Sequence, residues 1–149
     1  MSTEKRLAFL DWLLLQENHP ALWGAKGPFA FDCSGLVTCG YVHVGLKDWR
    51  QTHNTDRLWA ELEPTSNPIP GDLVLYGGTR PDDVQHVMVW WGDGRVYGAC
   101  GATSAITTLH DAVRAQARVR FRRLHYRTDL RGYRHSPFET ATPPPRKIA

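Results

Sequence analysis

Two short stretches of this chain hold residue types able to do nucleophilic chemistry. Phe31-Asp32-Cys33-Ser34-Gly35-Leu36-Val37 puts a cysteine where a loop gives way to a helical pattern. About fifty residues later, Gln85-His86-Val87-Met88-Val89-Trp90-Trp91 puts a histidine at the head of an apolar run. A thiol at a helix start faces the positive end of the helix dipole, and a histidine arriving from a strand can take its proton. That setting is expected to lower the thiol pKa from about 8.5 into the range of about 3.5 to 7.5. Asp32 can cap the helix, and the start around Asp32 and Ser34 offers backbone N–H groups to a developing oxyanion. The plainer readings are a small buried cysteine and a strand histidine satisfied by a backbone partner. Of the other histidines, His19, His43, His53, His110, His125 and His135, none precedes a comparable strand and hairpin.

The elements that must hold these two groups are legible in outline. Leu7, Leu10 and Leu14 recur at helical spacing with Phe9 and Leu13 beside them, and Pro20 stops the pattern, which predicts a helix over about 3–17. A Gly-, Pro- and aromatic-rich loop leads to a second helix over about 33–44, with Leu36, Val37, Tyr41 and Val44 facing the core. Gly40 inside it costs about 1 kcal/mol against Ala, so it is expected to permit close packing. A third helix is expected over about 55–62. From Pro68 onward the pattern changes to strands: Leu73–Tyr76, His86–Trp91 and Arg95–Ala99, the last two joined through the hairpin signal Gly92-Asp93-Gly94. Ala117, Val119 and Phe121 alternate with Arg118, Arg120 and Arg122, as in a half-exposed strand. Helices first and antiparallel strands later is the α+β order. Residues 1–135 read as one domain, and residues 136–149, with Pro143-Pro144-Pro145, as a flexible tail.

At 149 residues and 42% hydrophobic, the chain can bury one sizeable core. The net charge is +3, and eight arginines fall between Arg114 and Arg134, which favours an anionic surface or substrate. No aromatic interleaving or binding motif accompanies them, so they read as a solvated face and not as a nucleic-acid site. Three scattered cysteines make neither a disulfide framework nor a paired zinc site. Cys33 and Cys39 lie about 240° apart around one helix and cannot bridge; a Cys39–Cys100 bridge stays open beside the reading of both as buried free thiols. The N-terminal apolar run is interrupted by Asp11 and lacks a small-x-small cleavage site, so it reads as an amphipathic helix and not a secretion signal. With no apolar run of membrane-spanning length, a soluble chain made in the cytoplasm is expected, with no membrane insertion. Trp12, Trp59, Trp90 and Trp91 read as core, whereas Trp23 and Trp49, in loops, are candidates for substrate contact.

Phe31–Val37, then Pro70-Gly71-Asp72-Leu73-Val74-Leu75-Tyr76, then His86-Val87 with Gly92-Asp93-Gly94, occur in the order and approximate spacing of the NlpC/P60 family of cell-wall cysteine peptidases, over roughly residues 5–125. The resemblance implies a papain-like α+β fold, helices packed on an antiparallel sheet, with Cys33 as nucleophile, His86 as base, and no metal or cofactor. It also implies a third polar residue, usually His, Asn or Gln, about a dozen positions after the base. That position is Gly98, which has no side chain; its backbone, a water, Thr103 or His110 are the candidates to orient the imidazole. Many family members carry a Tyr in the loop before the nucleophile where this chain has Ala21, at the expected wall of the cleft.

The function implied by the resemblance is hydrolysis of an amide bond in peptidoglycan stem peptides, a γ-D-glutamyl–diaminopimelate bond first among them. The setting would be a phage lysin, a tail-associated hydrolase or a secreted effector that meets the wall after release or delivery, with tail or secretion-apparatus partners. Two other readings stand beside it. One is a non-catalytic phage-tail or wall-binding module whose Gly98 and Ala21 record lost activity. The other is a papain-like acyltransferase or deamidase using the same dyad.

Overall fold

In the computed structural model, residues 2–78, 80 and 83–138 are described. Helices α1 (Ser2–Leu15), α2 (Cys33–His43) and α3 (Thr55–Glu61) precede a sheet of β1 (Pro64–Thr65), β2 (Leu73–Tyr76), β3 (His86–Gly92), β4 (Arg95–Cys100), β5 (Arg118–Arg123) and β6 (Leu130–Arg134). Helix α4 (Leu109–Ala115) and a 3-10 turn (Leu124–Tyr126) flank β5. The strand order is β1-β6-β2-β3-β4-β5, and every pairing is antiparallel. This is the expected α+β fold, with helices on one face of an antiparallel sheet.

The buried face of α1 differs from the expected stripe. Phe9 and Leu13 are fully buried, while Leu7 and Leu14 are 57% and 44% exposed. The apolar spacing of α1 allows two overlapping stripes, and α2 selects one of them. A Cβ on Gly40 would collide with the Phe9 ring, so Gly40 opens the groove into which Phe9 packs beside Tyr41. Close approach is therefore what the glycine supplies, at a helix-propensity cost of about 1 kcal/mol.

The expected tail boundary also moves. Ser136 and Phe138 are each 2% exposed, and the Phe138 ring packs on Phe9 and Tyr41. Asp72, from the Pro-Gly-Asp element, holds this segment. Its Oδ1 accepts from Arg6 Nη1 at 3.0 Å and from the Ser136 N–H at 3.1 Å; its Oδ2 accepts from the Ile69 N–H at 2.9 Å and lies 2.9 Å from His135 Nδ1. A fully buried carboxylate survives only when charge and hydrogen bonds both compensate it, and here α1, the β2 turn and the chain after β6 all contribute. Residues 139–149, the remainder of the expected tail, lie outside the described residues.

Elements without a clear apolar period were not anticipated. In α4 only Ala112 is buried, and Leu109 and Val113 are exposed, so no stripe marks it; its signal is the Thr108–Asp111 capping box. Strand β6 is half-buried throughout, with Arg131 and Arg134 on it and Gly132 inside.

Two apolar layers sandwich the sheet. Leu73, Leu75, Val87, Val89 and Tyr97 face the helices, while Val74, Tyr76, Met88, Val96 and Cys100 form a cluster on the other side. The period of two along β3 therefore puts His86 with Met88 on the side away from α1. Its ring lies 5.9 Å from that of Tyr76, its register partner on β2.

Candidate active site

Cys33 is the first residue of α2. Asp32 is the N-cap, with extended backbone and a side chain accepting from the Gly35 N–H, and its other oxygen is 3.0 Å from Lys26 Nζ. Gly35 is required here, because a Cβ would run into the Ala25 carbonyl and the Asp32 side chain. The cap thus fixes where the helix begins and hence where the thiol projects.

The thiol and the imidazole open on one cleft of about 860 Å³, whose walls also include Trp23, Thr55, Gln85, Thr103, Arg122 and Tyr126. Cys33 approaches the first peptide of β3, so that backbone hydrogen bonds from Val87 and Ser34 favour its thiolate. They do not prevail. Burial is the largest influence and, with the Asp32 carboxylate adding to it, pushes the Cys33 pKa up to about 11. The acidified thiol expected at a helix start is therefore corrected, because desolvation at the cleft wall and the capping carboxylate both disfavour the thiolate. His86 moves the opposite way for the same reason: burial, reinforced by the Arg127 cation and opposed by Asp129, lowers its pKa to about 4. Near neutral pH the cleft holds a neutral thiol and a neutral imidazole.

The structure separates the other candidates. Trp23, Thr103, Asp32 and Ser34 line the cleft. Ala21 does not: it is fully buried, with its N–H bonded to the Ala117 carbonyl at 3.0 Å. Trp49 is also outside the cleft, with its ring stacked 4.0 Å from that of His53. Thr103 stands at the cleft wall with its N–H bonded to the Gly101 carbonyl, whereas His110 is exposed on α4 outside the cleft. Gly98 is buried in the middle of β4 opposite Arg120, and a Cβ there would lie 2.7 Å from Met88 Sδ.

The group that does meet the imidazole is one the sequence did not single out. Tyr126 Oη lies 2.8 Å from His86 Nε2. No local pattern marks Tyr126, which follows the arginine-rich strand in the 3-10 turn. The arginines of β5 are only partly solvated, contrary to expectation. Arg118, Arg120 and Arg122 are half-buried, the Arg122 guanidinium lies 5.1 Å from the Tyr126 ring centre, and Nε of Arg120 and Arg122 is buried without a hydrogen-bond partner. Arg127 is tied to Asp129 at 2.9 and 2.6 Å. All three cysteines are free thiols. Among the described residues no cluster of His, Cys, Asp and Glu is arranged to hold a metal ion.

Comparison with known proteins agrees with this architecture. Over 91 residues the chain is 33% identical to a bifunctional muramidase/DL-endopeptidase of Bacillus subtilis, covering 58% of this chain and 26% of that protein. Over 115 residues it is 31% identical to a probable endopeptidase of Corynebacterium glutamicum, covering 72% and 52%. The chain thus spans about a quarter to a half of these curated relatives. The P60 domain of an antigen from Mycobacterium avium subspecies paratuberculosis superposes with a TM-score of 0.68 at 20% identity, covering 93% of this chain and 98% of that one, a likeness of fold. The NlpC/P60 family model matches residues 18–123, and with the helix-start cysteine, the strand histidine and the sheet order in place, the chain belongs to the NlpC/P60 family.

Proposed function

We propose that this domain hydrolyses amide bonds in the peptide part of bacterial peptidoglycan, with Cys33 as nucleophile and His86 as general base and acid. The observation that carries this reading is the convergence of the first residue of α2 and the first residue of β3 on one cleft, with His86 Nε2 held 2.8 Å from Tyr126 Oη. Because both groups rest neutral, the Cys33 proton passes to His86 Nδ1 as sulfur bonds to the scissile carbonyl carbon. The charge developing on the carbonyl oxygen is met by N–H groups at the start of α2, including that of Cys33. The imidazolium then protonates the leaving amine. Water, deprotonated by His86, releases the acyl group from sulfur and restores the thiol.

The peptide stems of peptidoglycan carry free carboxylates, and the cleft wall offers them Arg122 and Arg127. Trp23, 59% exposed at the same wall, offers an apolar face. A γ-D-glutamyl bond to diaminopimelate is the scissile bond this reading names first. The rival reading of a lapsed, wall-binding domain rested on Gly98 and Ala21. It is disfavoured because His86 has an oxygen partner from elsewhere in the chain and Ala21 lies in the core.

Digestion of purified peptidoglycan by the wild type and by Cys33→Ala, with products identified by mass, tests the proposal. New amino and carboxyl termini within the stem peptides are expected from the wild type alone. Equal release by Cys33→Ala, or modification of a protein acceptor without stem cleavage, would overturn it.

A further inference from the structure

We infer that Tyr126 is the positioning residue of His86, taking from the 3-10 turn the role for which β4 has no side chain. This rests on the proposed Cys33–His86 chemistry. Its first support is vacancy: Gly98 offers no side chain, and Met88 Sδ occupies the space where one would begin. Its second is rigidity. The Leu124 N–H donates to the Gly94 carbonyl at 2.8 Å, and Tyr76 Oη donates to the Leu124 carbonyl at 2.8 Å, so the turn bearing Tyr126 is pinned to the hairpin and to β2. The Tyr126 ring packs edge-on to Tyr76 with centres 5.7 Å apart. A hydroxyl carried on so constrained a ring can fix an imidazole plane.

The proton arrangement follows from what each atom can do. For Nδ1 to accept the Cys33 proton it must present a lone pair, so the neutral ring must carry its hydrogen on Nε2 and donate it to Tyr126 Oη. Tyr126 must then send its own hydrogen elsewhere, since donating it to Nε2 would select the unreactive tautomer. Cys100 Sγ, 4.0 Å from Oη, is placed to accept it, and the Cys100 thiol in turn faces the Gly98 carbonyl at 3.7 Å and Met88 Sδ at 3.8 Å. The series His86, Tyr126, Cys100, Gly98 carbonyl is directional, and it ends on the backbone of the residue whose missing side chain it replaces. The remaining charged groups acting on His86, Arg127 and Asp129, are paired with each other.

Tyr126→Phe removes one oxygen and keeps the ring contacts. Two readouts are needed, one of them independent of turnover. Nitrogen-15 spectra of the histidine rings should show His86 as the Nε2–H tautomer in the wild type near neutral pH, and a mixture of tautomers in Tyr126→Phe. With stem peptide as substrate, kcat should fall tenfold or more while KM stays within about twofold. Cys100→Ala should shift both readouts in the same direction by a smaller factor, and Cys100→Ser should recover most of that loss. An Nδ1–H tautomer in the wild type, a spectrum unaltered by Tyr126→Phe, or an altered spectrum with unchanged kcat would each overturn the inference. A wild type without stem cleavage would count against the proposed function, and the spectra would still decide the Tyr126 contact.

Discussion

Placing a side chain at position 98 should impair this protein, although the family resemblance would make such a change look like a repair. In Gly98→Asn the first added atom would lie 2.7 Å from Met88 Sδ, with Met88 Cα and Cε both at 3.5 Å. An ordinary contact needs roughly another ångström, so Met88 must leave its rotamer. It cannot do so freely, because it is fully buried among Val74, Tyr76, Val96 and Cys100. Overpacking of this kind costs about 1–3 kcal/mol, and the amide beyond Cβ, unpaired in an apolar cluster, puts the change near the upper end. For a chain of this size, about 3 kcal/mol corresponds to a drop in Tm of roughly 6–12 °C. Thermal unfolding followed by circular dichroism measures it. Met88→Ala is expected to be destabilising alone, yet to offset part of the cost in the double variant, giving a coupling of opposite sign to the single effects. In peptidoglycan digestion, Gly98→Asn should lose activity because it disturbs Met88 and Cys100 beside Tyr126. A Gly98→Asn protein of wild-type Tm would refute the packing argument, and one with raised activity would count against the assignment of the orienting role to Tyr126.

Turnover against pH should show its acid limb near pH 4, since the neutral His86 that accepts the thiol proton grows in as pH rises through about 4; a limb at pH 6–7 would mean that the imidazole is solvated. Alkylation of Cys33 by iodoacetamide should be slow at neutral pH and rise about tenfold per pH unit toward its pKa of about 11, whereas a flat rate between pH 6 and 8 would show a preformed thiolate. Asp72→Ala should destabilise the fold by about 3–5 kcal/mol, because it removes the fully buried carboxylate that Arg6, the Ile69 N–H and the Ser136 N–H all address; urea unfolding measures this, and a loss under 1 kcal/mol would remove Asp72 as the anchor of the C-terminal segment. Cys39→Ser should retain wild-type turnover in the digestion assay, since Cys39 lies on α2 outside the cleft with its thiol donating to the Lys26 carbonyl.

The features legible in the chain alone are set by residues close to one another along it. Asp32 capping α2, Cys33 at its first turn, and the Gly92-Asp93-Gly94 hairpin with all three residues at positive φ are decided by backbone chemistry between near neighbours. The same local grammar gave the edges of α1, α2, β2, β3 and β4 to within about two residues. Tertiary structure decided the rest. Which stripe of α1 is buried depends on a groove at Gly40 in another helix, and the place of Asp72 depends on Arg6 and Ser136, more than sixty positions away on either side. The pKa directions of Cys33 and His86 depend on how much protein surrounds them, which no motif records. Tyr126 meets His86 across forty residues of chain because the 3-10 turn after β5 folds back onto the apolar face of the sheet, where its ring packs on Tyr76, the register partner of His86. A hydroxyl in an irregular turn has no periodicity to announce it, and it becomes part of the site only when the turn is laid across the sheet face that carries the imidazole.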